Sequence, residues 1–180
     1  YEYGDSGREP NPLNPYGASK AAAFAVARMF HRTRNWPIVT VRPFQVYGPG
    51  QPELALIPAA IRAARAGEPF PMTGGEQQRD FVYVDDVVRG YLRAAIHGSD
   101  GGSYDLGWGE GHKLSDVIAR LYQLMGTATA PDYGALPYRP GEVWRLVADP
   151  RPAMQDLAWS PAVQLDQGLA LTAATAAGAQ

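Results

Sequence analysis

Asn14-Pro15-Tyr16-Gly17-Ala18-Ser19-Lys20 places a phenol and an ammonium group four residues apart at a predicted helix start. Asn14 is a favoured N-cap, and Pro15 suits the first helical position, where a missing N–H costs nothing. The alanine-rich run that follows carries the helix to about Arg34, and Asn35-Trp36-Pro37 stops it. Residues at i and i+4 share a helix face, so the Lys20 ammonium can approach the Tyr16 hydroxyl and favour its phenolate. An ordinary tyrosine titrates near ~10, too high for a base at neutral pH, so a neighbouring cation is what such chemistry requires. With 10 tyrosines and only Lys20 and Lys113 as lysines, composition alone yields such a pair about one time in nine. The spacing therefore takes its meaning from the rest of the chain.

At 180 residues and 46% hydrophobic, the chain is long enough for one domain with a sizeable core. A net charge of −2 and a pI near 5.9 argue against nucleic acid or an anionic membrane as partner. There is no cysteine, hence no disulfide framework and no thiolate metal site. His31, His97 and His112 lack metal-like spacing, so no metal is expected. No uninterrupted apolar run approaches ~18 residues and no basic-then-apolar leader opens the chain, so a cytoplasmic protein is the expectation. A Gly-x-Gly-x-x-Gly turn of the dinucleotide-binding type is absent, and Gly74-Gly75 and Gly101-Gly102 are isolated pairs that read as turns.

Three further blocks surround the Tyr16–Lys20 pair. Arg42-Pro43-Phe44-Gln45-Val46-Tyr47-Gly48-Pro49-Gly50-Gln51 follows a short apolar strand, Gly75 to Val88 contains Arg79-Asp80-Phe81 and Asp85-Asp86-Val87, and Arg139-Pro140-Gly141-Glu142 lies further on. Together with Asn14 to Lys20 they resemble the extended short-chain dehydrogenase/reductase family, in its nucleotide-sugar epimerase and dehydratase group. The resemblance covers nearly the whole chain but not the Gly-rich nucleotide-binding half that such enzymes begin with.

The resemblance implies an α/β fold: the C-terminal portion of a Rossmann-like parallel sheet, with the catalytic helix and following strand in residues 1–50. A small α/β substrate-binding subdomain would occupy most of residues 51–180, with segments returning to the sheet. It also implies NAD or NADP as cofactor and a nucleotide-diphosphate sugar as substrate. Tyr16 and Lys20 would be catalytic and face the cofactor, with Pro43 and Val46 against the nicotinamide. Gln45, Arg79, Arg139 and Glu142 would hold the substrate, Gln45 standing where the family commonly has Asn. The small residues of Pro15–Arg34 suit a close helix–helix contact, and the family's dimer implies a homodimer through that helix. In the family's 4,6-dehydratases a Glu precedes the Tyr-Gly that matches Tyr3-Gly4 by two residues, whereas this chain has Tyr1 there. That favours a 4-epimerase or 4-ketoreductase, with a 4,6-dehydratase and a non-catalytic subunit or inactive remnant as alternatives.

The remaining pattern reads as strands at Pro37 to Val41, Pro69 to Met72, Arg79 to Val84 and Ser103 to Leu106. Helices are expected over Leu54 to Ala66, closed by Gly67, over Asp86 to Ile96 with Asp85 as N-cap, over Leu114 to Met125 and from Leu165 to about Ala176. The segment Arg42 to Gly50 reads as a loop at the carboxyl end of the first strand, and Asp80 as a supporting or turn residue.

Overall fold

The structure, a computed structural model, describes residues 12–175. The first helix, α1, runs Pro15–Arg34 as its sequence dictates. Asn14 Oδ1 accepts the Gly17 N–H at 2.8 Å, Pro15 occupies the first turn, and Asn35 closes the far end at φ 52°, a left-handed conformation that asparagine tolerates better than most residues. The segment after it forms strand β1 (Thr40–Pro43) and, past Phe44, strand β2 (Gln45–Tyr47). The expected loop from Arg42 is thus extended backbone for half its length, because each part finds a different partner. β1 pairs in parallel with β6 (Ser103–Leu106), and β2 pairs in parallel with β5 (Phe81–Tyr83). Phe44 N–H donates to Leu106 O and Gln45 N–H to Asp80 O, so the chain changes neighbour between those two residues.

Helix α2 (Leu56–Ala66) begins two residues later than expected and ends where Gly67, at φ 67°, turns its N–H back to the carbonyls of Ala63 and Ala64. Strand β3 (Pro71–Met72) pairs with β8 (Asp132–Tyr133). The strand expected over Arg79 to Val84 is broken. β4 (Gln78–Arg79) sits between β7 (His112–Lys113) and β9 (Arg145–Leu146), whereas β5 belongs with β2. Asp80 stands at the break, and the reason lies in its carboxylate, described below.

Helix α3 (Val84–His97) corrects the assignment of Asp85 as N-cap: the cap is Tyr83, without a side-chain bond, and Asp85 and Asp86 lie in the first turn. Asp86 is fully buried and accepts the N–H groups of Ala162 and Val163, each at 2.9 Å, while Trp159 Nε1 donates to its carbonyl. It thereby ties the closing segment to the body of the fold. Helices α4 (Leu114–Met125), α5 (Arg151–Asp156) and α6 (Leu165–Thr175) complete the described residues.

Two apolar clusters meet at β5. Its side chains alternate, with Phe81 and Tyr83 entering one cluster and Val82 the other. The first joins α2, α4 and α6 through Ile57, Ile61, Ile118, Leu121 and Leu169, with Tyr47 edge-on to both Phe81 and Tyr83. The second packs Tyr104 and Leu106 of β6 against Val87, Leu157 and Trp159. A fully buried aromatic such as Phe81 contributes about 2–3 kcal/mol through burial alone. By contrast, the only buried residue of α1 is Gly17, and among the described residues β1 has β6 as its single strand partner.

Candidate active site

The predicted acid–base pair lies in the first two turns of α1. Lys20 Nζ stands over the Tyr16 ring, 5.4 Å from its centroid, a cation–π arrangement. Tyr16 is 68% exposed and projects from the helix N-terminus. Ser19 does not compete for the phenol, since its hydroxyl donates to the Tyr16 carbonyl at 2.7 Å. Just before the helix, Leu13 lies against the turn at Gly141, where a Cβ would come 3.7 Å from Leu13 Cβ. The start of α1 and the segment holding Arg139 and Glu142 are therefore neighbours, although over 120 residues separate them in sequence.

Arg79 and Glu142 meet directly. Arg79 Nη2 donates to Glu142 Oε1 at 3.0 Å, and Nη1 donates to the carbonyls of Val143 and Gln78 at 2.7 and 2.9 Å. Both side chains are mostly buried, so each charge is compensated by the other rather than by water. Arg139 is exposed and is not part of that pair; its carbonyl accepts the Glu142 N–H, closing a turn in which Gly141 adopts φ 72°.

Gln45 is half-buried at the start of β2, Pro43 ends β1 just before Phe44, where the chain changes partner, and Val46 is the middle residue of β2. This is the carboxyl end of a parallel strand, the place where open α/β sheets present ligand-contacting residues. The structure thus sets Leu13, three residues before Tyr16, beside the Gly141 turn, and links Gln45 with Arg79 through the residue between β4 and β5.

That residue is Asp80. Its carboxylate is fully buried and accepts three backbone N–H groups, from Trp108 and Gly109 at 2.8 Å each and from Ala148 at 3.2 Å, while its carbonyl accepts Gln45 N–H. Gly107 is required beside it, since a Cβ there would come within 2.6 Å of Asp80 Oδ2. Burial raises its pKa, and the three N–H donors and nearby His112 oppose the rise. Sequence reasoning left Asp80 as either a supporting or a turn residue; its partners lie too far along the chain to be seen from local pattern.

A second charged pair escaped the sequence reading altogether. Arg42 Nε donates to Asp105 Oδ1 at 2.6 Å across β1 and β6, where the two residues are in register. The only signal available was a charge inside a short apolar strand, which calls for a partner. Among the described residues, no group of three His, Cys, Asp or Glu side chains could hold a metal ion, and no helix is long and apolar enough to cross a membrane.

A family model described as the NAD dependent epimerase/dehydratase family matches residues 2–107. Among curated proteins, the dTDP-glucose 4,6-dehydratase of Xanthomonas campestris pv. campestris is 32% identical over 170 residues, covering 89% of this chain and 48% of that protein. Among solved structures, UDP-glucuronic acid 4-epimerase from Bacillus cereus, in complex with UDP-glucuronic acid and NAD, has a TM-score of 0.86 at 31% identity, covering 94% of this chain and 55% of that one. UDP-glucose 4-epimerase from Thermotoga maritima, with UDP-glucose, gives 0.86 at 31% identity, covering 92% and 54%. The chain spans about half the length of the relatives it matches. Its α/β architecture is that part of their Rossmann-like fold.

Proposed function

From this chain's membership of the NAD-dependent epimerase/dehydratase family, we propose that it is the catalytic-helix and substrate-binding part of a nucleotide-diphosphate-sugar 4-epimerase or 4-ketoreductase. The observation that carries the reading is the contact between the start of α1 and the Gly141 turn. It sets Leu13, three residues before Tyr16, against the turn that carries Glu142, the partner of an arginine suited to phosphate. In this division residues 1–50 close the cofactor-binding part, and residues 51–180 mainly hold the sugar nucleotide.

The residues fit a nicotinamide dinucleotide. Tyr16 and Lys20 are solvent-facing, and Pro43, half-buried at the end of β1, offers an apolar surface to a flat ring, while Val46 packs against the second apolar cluster. NAD or NADP, when bound, supplies the hydride acceptor and donor. The chain's own part is proton transfer and orientation. Tyr16 takes the proton of the sugar carbon 4 hydroxyl during oxidation and returns one during reduction, and Lys20 keeps a positive charge beside the phenol as its negative charge develops. Arg79, held by Glu142 and the Val143 carbonyl, offers a guanidinium fork to the diphosphate, with Arg139 and Gln45 as further contacts. Holding the remote diphosphate orients a sugar whose hydroxyls resemble one another.

A 4,6-dehydratase is the second reading, favoured by the relatedness to dTDP-glucose 4,6-dehydratases at 30–32% identity. The Tyr1 detail that weighed against it lies outside the described residues. We also propose a homodimer through α1, whose alanine-rich surface leaves Val26 and Met29 half exposed. The test is incubation of the purified protein that carries this chain with UDP-glucose, UDP-glucuronic acid or dTDP-glucose and NAD, followed by NMR of the products. A carbon 4 epimer supports the first reading and a 4-keto-6-deoxy product the second. Absence of turnover with all three sugar nucleotides, with NAD and again with NADP, overturns both.

A further inference from the structure

Helix α1 carries the reactive pair, and a partly buried seam seats it against the rest of the described residues. Its inward seam is Gly17, Ala21, Phe24, Ala27, Phe30 and His31, of which only Gly17 is buried and the rest are half-buried. Phe24 is its largest side chain toward the middle, and Arg42 Cζ lies over the Phe24 ring at 5.7 Å from the centroid. Arg42 is itself held: its Nε donates to Asp105 Oδ1 at 2.6 Å, and its side chain is 16% exposed against 6% for Asp105. Asp105 in turn accepts the Asp149 N–H at 3.3 Å through its other oxygen. The chain of contacts therefore runs from the segment before α5, through the sheet, to the middle of α1.

We infer that Arg42 and Asp105 are a positioning pair, in which the flat face of the Arg42 guanidinium, oriented by Asp105, sets where α1 sits and so where Tyr16 and Lys20 point. This rests on the reading of Tyr16 and Lys20 as the proton-transferring pair. Phe24 lies two turns along the helix from Tyr16, roughly 12 Å at the helical rise. A small rotation or slide at that anchor displaces the phenol on an ångström scale, enough to cost about a hundredfold in rate without touching a substrate contact. Lysine cannot replace arginine here, since an ammonium is a point charge without a stacking face.

The experiment compares Arg42→Lys, Phe24→Leu and Phe24→Tyr in the enzyme that carries this chain. Arg42→Lys keeps the charge and is expected to lower kcat about tenfold or more, with the KM for the nucleotide sugar changed by less than about threefold. Phe24→Leu keeps the apolar packing but loses the ring face and should move kcat the same way, whereas Phe24→Tyr restores it. An unchanged kcat in both Arg42→Lys and Phe24→Leu overturns the inference, as does a fall that Phe24→Tyr shares with Phe24→Leu. Hydrogen exchange on the enzyme that carries this chain supplies a reading independent of activity. Arg42→Lys should speed exchange of the α1 amides around Phe24 while leaving α4 unaltered. Equal acceleration throughout, or none, assigns Arg42 a general structural role and overturns the proposal. If the parent enzyme turns over no nucleotide sugar, the functional reading fails and exchange alone decides this one.

Discussion

Arg79 Nη2 and Glu142 Oε1 lie 3.0 Å apart in a mostly buried pair, joining a strand residue to a turn 63 positions later. A guanidinium held in this way is preorganised, so little side-chain entropy is lost when it meets a phosphate. Glu142 serves first as the partner that keeps that charge tolerable away from water.

Replacing Arg79 by Ala should weaken binding of a free nucleoside diphosphate by about 2 kcal/mol, roughly thirtyfold, because a charge-assisted pair to phosphate is lost. Calorimetric titration of the complete enzyme with UDP and dTDP checks this. Affinity equal to the parent's would mean that Arg79 only braces the Glu142 turn.

Tyr16→Phe should lower turnover by ~10²-fold or more and leave nucleotide-sugar affinity near the parent's, since it removes only the proton-transferring oxygen. Single-turnover kinetics beside equilibrium binding separates the two effects. A rate within a factor of a few of the parent's removes Tyr16 from the mechanism.

Asp80→Asn should destabilise the fold by about 2–3 kcal/mol at neutral pH, because an amide cannot accept three N–H groups as a carboxylate does. Its pH signature has a defined sign. Burial raises the folded-state pKa above the ordinary 3.8, so between those two values the native state binds more protons than the unfolded one. Stability from this group therefore declines as pH rises through that window. Urea melts across the acid range should show this downward slope in the parent and its loss in Asp80→Asn.

Asp166 carries the opposite sign. Arg120 holds it by two hydrogen bonds at 2.6 and 2.8 Å and lowers its pKa from 3.8. Its contribution is present above the unfolded-state value and is lost as pH falls through the lower folded one. The effect is small because both groups are about half exposed and screened by solvent. Asp166→Asn should flatten the acid limb of the thermal midpoint between α4 and α6 and be near-neutral in high salt. An unaltered acid limb means that the pair contributes nothing.

The 180-residue chain alone is expected neither to bind a dinucleotide nor to catalyse, and to self-associate. Among the described residues β1 has one strand partner, and α1 is buried only at Gly17. A parallel strand with one described partner, beside a helix buried only at Gly17, invites pairing with another copy. Fluorescence of added NADH with light scattering on the same sample tests it; tight binding by a stable monomer is the contrary result.

Local chemistry carried much of this protein in its sequence. Asn14, Pro15 and Asn35 delimit α1, Gly67 closes α2, and Ser103–Leu106 is a strand by its own composition, because caps, turns and apolar runs act over a few residues. The Tyr16–Lys20 proximity follows from helical spacing in the same way. What the tertiary structure decided is everything whose partner is remote. Asp80 bonds residues 28, 29 and 68 positions away, Arg42 finds Asp105 at 63, and Arg79 finds Glu142 at 63. The two-residue strands β4, β7 and β9 are too short to show a period of their own and exist because the chain brings their edges together. A buried charge announces in sequence that it needs a partner, but only the folded chain selects which one.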